Sequence, residues 1–320
     1  MTIQLERREG ALYVSLFHNG RTVDLARPVS QADLQKLMFV CDLYRQHTRT
    51  PAPAMLTEAA LVALGVEMFN LVLAPQWLNL SPMGEQRSLI IACGELDLLL
   101  LPWEVMLPPG EGFLGSNPHW LVERHLPGDE DKKSRLPTQA SRLLFFQSLP
   151  HDLPPLASPM PHLSPVGTLG GLRTVLEELT QPTLLFLHGH ALVRGSSGYF
   201  AFCEDDGTSF VMTAMELALF LKPYDHVQGV VLSGREEGHP PPVGAMHAVC
   251  RQLIQAVPSV LAWPDAPGSS VCTTLFSTLT QSLTEGHPLP TAAALARHAS
   301  SQQDKPTGYP GWTLLGCYGS

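Results

Sequence analysis

Charge is what this chain has least of: 15% of its 320 residues are charged, against about a quarter in an ordinary soluble domain. Basic residues are the scarcer sign, 20 Lys and Arg against 29 Asp and Glu, for a formal net charge of −9. With no basic stripe, nucleic acid is excluded as the main partner, because phosphate binding needs one. Long apolar runs are missing as well. The longest, "LDLLLLPWEVML", is too short for a membrane span and carries carboxylates and a proline. The opening "MTIQLERREGALYV" has no basic head followed by an apolar segment, so the sequence predicts no secretory signal. Six cysteines, at 41, 93, 203, 250, 272 and 317, form no C-x-x-C pair. A reduced, cytoplasmic protein with buried thiols is expected, with no disulfide or zinc framework, no membrane association and no cofactor.

Apolar residues, at 44%, suffice for a sizeable core. "ALYVSLFHNGRTVDLA" alternates around His18-Asn19-Gly20 and predicts a hairpin, since Asn-Gly accepts positive φ at both turn positions. "QADLQKLMFVCDLYRQH" and "TEAALVALGVEMFNLVL" follow with helical periodicity, and "RSLIIACG" as a buried strand. The densest charge cluster, "PGDEDKKSRLPT", is bounded by prolines and marks an internal boundary. The expected organisation is 1–126 as an N-terminal hairpin and helical part, 127–141 as a charged linker, and 142–320 as the main core. Within the latter, "LPHDLPPLASPMPHLSP" is too rich in proline for a helix or a central strand.

From Arg142 onward apolar strands alternate with amphipathic helices. The strands are "RLLFFQS", "TLLFLHG", "GVVLS" and "SVLAW", with a hairpin "GYFAFCEDDGTSFVM" between the second and third and a closing "GWTLLGCYG". Strands that are apolar throughout, separated by helices, predict an α/β fold with a mainly parallel sheet covered on both faces. Sites in such sheets lie at the carboxyl ends of strands. That places His188-Gly189-His190 and the stretch Ser233 to Gly238, "SGREEG", on one edge.

The chain has no G-x-S-x-G, which excludes a hydrolase nucleophile elbow after "TLLFLHGH". His188 and His190 have no third ligand in a local motif, so no metal site is predicted. "CEDDG" lacks the alternating oxygens of a calcium loop, and Asp206-Gly207 fits a hairpin turn better. A histidine after one strand and a sharp loop after a later one is the layout of a Cys/His dyad.

On these residues the chain resembles the CHAT-domain family, caspase-like bacterial cysteine peptidases. "LLLPWEVML" (Leu99 to Leu107) is similar to that family's Pro-Trp-Glu segment, followed by "FLG" (Phe113 to Gly115) and "LVERHL" (Leu121 to Leu126). "LLFLHGH" corresponds to the strand with the catalytic His-Gly and "CEDDG" to the acidic hairpin. "VVLSGREEG" falls where the family has Leu-Ser-Ala-Cys-x-Ser-Gly, and "PTAAALARHAS" and "GWTLLGCYG" resemble the closing helix and strand.

The resemblance implies a caspase-like α/β fold and assigns His188 as the family histidine, with His190 the match in a register shifted by two. It sets Gly234 at the alanine, Arg235 at the nucleophilic cysteine and Glu237 at the serine. A guanidinium stays protonated and has no lone pair to attack with, so Arg235 cannot replace a thiolate. The implied protein is a pseudopeptidase: a regulatory or scaffolding partner of another protein, such as an active peptidase or a defence component, in bacterial signalling, cell death or phage defence. Arg235, Glu236 and Glu237 are the candidate binding residues. They are read either as solvated charges or as a guanidinium that plugs the old cleft or grips a partner's carboxylate. The alternative is an active cysteine-type endopeptidase with a displaced nucleophile, for which Ser233, Cys203 and Cys317 come into question; a third class is a small regulatory ligand in the old cleft.

Overall fold

The computed structural model describes residues 1–9, 11–18, 21–39, 58–74, 87–126, 142–148, 167–194, 197–204, 206–237, 244–264, 270–304 and 315–319. They divide into two compact units. Unit 1 comprises Met1–Asp129, Gly268–Thr280 and Pro290–Leu314, and unit 2 comprises Glu130–Pro267, Gln281–Leu289 and Leu315–Ser320. The charged linker, 127–141, lies outside the described residues.

Unit 1 holds strands β1 (Thr2–Arg8), β2 (Ala11–His18), β3 (Arg21–Val29), β4 (Arg87–Cys93) and β5 (Trp120–His125), in the order β3-β2-β1-β4-β5. β1, β4 and β5 run parallel, while β1, β2 and β3 meander antiparallel. The expected hairpin is β2–β3, closing at His18 and Arg21, and its two turn residues lie outside the described set. β1 was not expected: Ile3 and Leu5 are its only fully buried side chains, and "ERR" follows them. Residues 31–39 form α1 and Glu58–Val72 form α2, and the remainder of the first expected helix is outside the described residues.

Inside unit 1 a carboxylate lies at the centre of an apolar run. Glu104 is fully buried and accepts from Arg124 through both guanidinium arms, at 2.6 and 2.8 Å, and from Arg297 at 3.4 Å. A buried carboxylate must be paired, or its desolvation is not offset. The "LLLLP" segment, which opens in the short helix α3 (Leu96–Leu99), helps to hold the arginine: Arg124 Nε donates to the Leu99 carbonyl at 2.8 Å and Nη2 to that of Leu101 at 3.2 Å. Trp103 Nε1 donates to Leu98 O at 3.0 Å. Gly115 sits against this turn, where a β-carbon would overlap Glu104. Arg297 arrives from α8 (Leu289–Asp304), which follows α7 (Ser270–Thr284), and the next residue on it, His298, bonds through Nδ1 to Ser116 O at 2.7 Å. The segments that resemble Pro-Trp-Glu, "FLG", "LVERHL" and the closing helix therefore meet in one cluster.

Unit 2 holds β6 (Arg142–Gln147), β7 (Thr183–Arg194), β8 (Ser197–Cys203), β9 (Ser209–Thr213), β10 (Val227–Glu237), β11 (Ser259–Pro264) and β12 (Gly316–Gly319). The order is β12-β11-β10-β7-β8-β9, with β6 on β7. β6, β7, β10 and β11 are parallel; β12 joins antiparallel to β11, and β8 and β9 form the expected hairpin. The long β7 takes β6 along Thr183–His188 and β8 along Ala191–Arg194. Phe145 stacks on Phe186 across β6–β7, with centroids 4.4 Å apart, and Phe146, Phe200 and Phe202 extend the aromatic core. Each buried phenylalanine contributes about 2–3 kcal/mol.

Two helices pack on this sheet, α5 (Ala214–Leu221), with a capping box of Thr213 and Glu216, on β8 and β9, and α6 (Ala245–Leu253) on β7, β8, β10 and β11, while α4 (Leu169–Glu178), capped by Thr168 Oγ1, buries Leu172 and Leu176. The mainly parallel α/β architecture is as expected. Among the described residues no helix is long and apolar enough to cross a membrane. Cys93, Cys203, Cys250 and Cys317 are free thiols, all but Cys203 buried.

Candidate functional site at the ends of β7 and β10

β7 and β10 are neighbouring parallel strands, so topology alone brings the two sequence motifs together. Their register sets Ser233 against His188, Gly234 against Gly189, and Arg235 against His190. Ser233 Oγ and His188 Nδ1 are 2.9 Å apart and hydrogen-bonded. The main chain on the other side of β7 is tied as well, where Ser148 N–H donates to His188 O at 2.8 Å. Both partners are buried, His188 at 3% exposure and Ser233 at 4%, and His190 is 6% exposed.

At the next residue pair the two backbones approach without side chains. Gly234 has φ +123°, and a β-carbon there would overlap the carbonyl oxygen of Gly189. A β-carbon on Gly189 would in turn overlap Ser148 Oγ and come within 2.9 Å of the Phe200 ring. Positive φ combined with such an approach is open to glycine alone. The alanine expected from the family motif at 234 has no space here.

Beyond Gly234 the structure corrects the sequence. A sharp loop was expected after Ser233, but β10 continues through Glu237, with Glu236 against Ala191 and Glu237 against Leu192. Arg235, Glu236 and Glu237 are strand residues by backbone, and their side chains lie outside the described set. β7 likewise runs well past the expected "TLLFLHG", to Arg194, and β8 pairs with that extension.

An alcohol hydrogen-bonded to imidazole is the pair that base-assisted nucleophilic attack requires. At 3% and 4% exposure, His188 and Ser233 present no open face to a peptide carbonyl. The register brings neither candidate thiol against His188. Pairing of β7 with β8 ends at Ala191–Phe200, and Cys203 bridges instead to Thr168 and points its thiol at Glu204 O. Cys317 pairs with Leu261 on β11, and β10 and β11 stand between its strand and β7, about 14 Å at the usual strand spacing.

Sequence reasoning missed three contributors. Ser148 holds the histidine's carbonyl, and nothing near it in sequence marks it. His247 on α6 bonds through Nδ1 to the Tyr318 hydroxyl at 2.6 Å, fastening β12. The Glu104–Arg124–Arg297 cluster had one available signal, a carboxylate inside an apolar run.

The fold and site thus define an α/β protein in which a histidine and a serine are joined across adjacent parallel strands. No family model and no curated protein matches the chain. Among solved structures it is similar to the Arg specific cysteine proteinase gingipain R (RGPB), at 10% sequence identity and a TM-score of 0.42, over 88% of this chain and 74% of that one.

Proposed function

We propose that the chain is a catalytically degenerate, caspase-like protein of CHAT type, a pseudopeptidase that acts by binding another protein, as a regulator or scaffold in a bacterial signalling, cell-death or phage-defence system. The observation that carries this reading is the residue opposite His190. It is Arg235, which has no nucleophilic lone pair, and its backbone is paired into the sheet. Two further observations support it: the near-complete burial of His188 and Ser233, and the convergence of the resembling segments on Glu104. Cytoplasmic location belongs to the same proposal.

The test has two arms. A thiol-reactive peptide probe is applied to the intact protein, and its purification from the native cell is run beside Arg235→Ala with mass spectrometry as readout. The reading expects no labelled cysteine, and a stoichiometric partner that the substitution loses. Labelling of one cysteine that His188→Ala abolishes would restore the peptidase reading instead.

A further inference from the structure

Among the described residues of unit 2, the large apolar side chains left exposed are Val211, Met215 and Leu219, at 49%, 47% and 58%. All three lie on β9 and on α5, which begins directly after it. β9 is also the last strand in the sheet order, and among the described residues nothing pairs with its outer edge. Edge strands are normally blunted by lysine, proline or a bulge. "SFVMT" has no charge and no proline, and its pairing with β8 runs from Cys203–Ser209 to Tyr199–Thr213 without a register shift.

The surroundings of this edge are acidic. Glu204 and Asp206 are exposed at the Ser209 end and Glu216 at the other. Hydrogen bonds from Thr208, through its hydroxyl at 2.7 Å and its N–H at 2.9 Å, hold Asp206 as a carboxylate. These charges argue against a second copy as the occupant. A two-fold antiparallel pair centred on Val211 would turn Glu204 and Asp206 of one copy toward Glu216 of the other, and like charges facing each other are destabilising.

We propose that β9 is a docking edge for an extended segment of a different protein, apolar at its centre and basic at its ends, which adds to the sheet as a further strand. In this mode main-chain hydrogen bonds supply affinity, and alternate side chains supply selection. The apolar centre covers Val211 and the outer face of α5, while the basic ends answer Glu204, Asp206 and Glu216. The edge is separate from β7 and β10, so the proposal does not depend on the reading of Arg235.

The test uses the full chain and two synthetic peptides, Lys-Val-Thr-Val-Thr-Val-Lys and the same core flanked by glutamate. Hydrogen exchange of the 209–213 amides is the readout. The lysine-flanked peptide is expected to slow their exchange about tenfold or more, the glutamate-flanked one to leave it unchanged, and Val211→Lys to abolish the protection at an unchanged unfolding midpoint. Should that variant lose its midpoint, Leu219→Ser takes its place with the same expected loss. Absent protection, equal protection by both peptides, or protection retained in the variant would overturn the proposal. So would self-association of the native protein that Val211→Lys abolishes, which would assign the edge to a second copy.

Discussion

The α-carbon of Gly234 faces the carbonyl oxygen of Gly189 across β7 and β10, and neither residue has room for a β-carbon. One position earlier on each strand, Ser233 and His188 are hydrogen-bonded; one position later, Arg235 and His190 are in register. The two motifs singled out by sequence are thus joined by a backbone contact that only glycine permits.

Gly234→Ala is expected to destabilise the protein by about 3 kcal/mol, from the strained φ together with the overlap. Urea unfolding measures it. A loss below about 1 kcal/mol would mean that the strands separate easily at this point.

Glu104→Gln is expected to cost about 3–5 kcal/mol, because two buried guanidinium groups lose their carboxylate. The Glu104→Leu/Arg124→Leu pair should cost less than its single variants summed, since it leaves one guanidinium, that of Arg297, without a carboxylate where Glu104→Leu alone leaves two. A double-mutant cycle from chemical denaturation gives the coupling, and additive costs would contradict the ion-pair account.

Arg235→Cys is expected to remain inert toward a thiol-reactive peptide probe. The backbone at 235 is held in sheet pairing with β7, and productive attack tolerates little misplacement. Labelling that disappears with His188→Ala would show that the side chain alone had been limiting.

His226 should make stability depend on pH. Burial holds its imidazole below the usual histidine range, partly opposed by the neighbouring Asp225 carboxylate, and its Nε2 has no hydrogen-bond partner among the described residues. Below about pH 6.5 the unfolded chain takes up a proton that the folded one resists, so stability falls as pH drops through that value toward the lower folded one. His226→Phe is expected to flatten this fall in denaturation midpoints between about pH 7.5 and about pH 5.5. An unchanged slope would assign the dependence to other groups.

How much of this was legible in the sequence depended on range. β6, β7, β10 and β11 stood out as apolar runs, because a covered parallel strand has no polar face to interrupt it. β1 was hidden because Ile3 and Leu5 are its only apolar residues and the polar "ERR" ends it. The extension of β10 was hidden for a different reason: Arg235, Glu236 and Glu237 do not favour a strand, and what places them in one is β7, whose His190, Ala191 and Leu192 they pair with. The His-Gly motif and its partner strand were readable, whereas the serine that bonds the histidine was visible only as a neighbour of Arg235. The ion cluster joins residues 20 and 193 positions apart, and no local pattern carries that information.

Unit 1 is completed by residues far along the sequence from its start. After Asp129 the chain leaves it and returns only at Gly268–Thr280 and Pro290–Leu314, and the second arginine on Glu104 is supplied from the second of those returns. The two units are interleaved in sequence, so a cut at the charged stretch 127–141 does not yield two self-sufficient halves. During synthesis unit 1 waits for residues 290–314 before its interior can close, an interval in which exposed apolar surface invites aggregation. Unit 1 is then most vulnerable during translation, and removal of residues 290–314 is expected to destabilise residues 1–129.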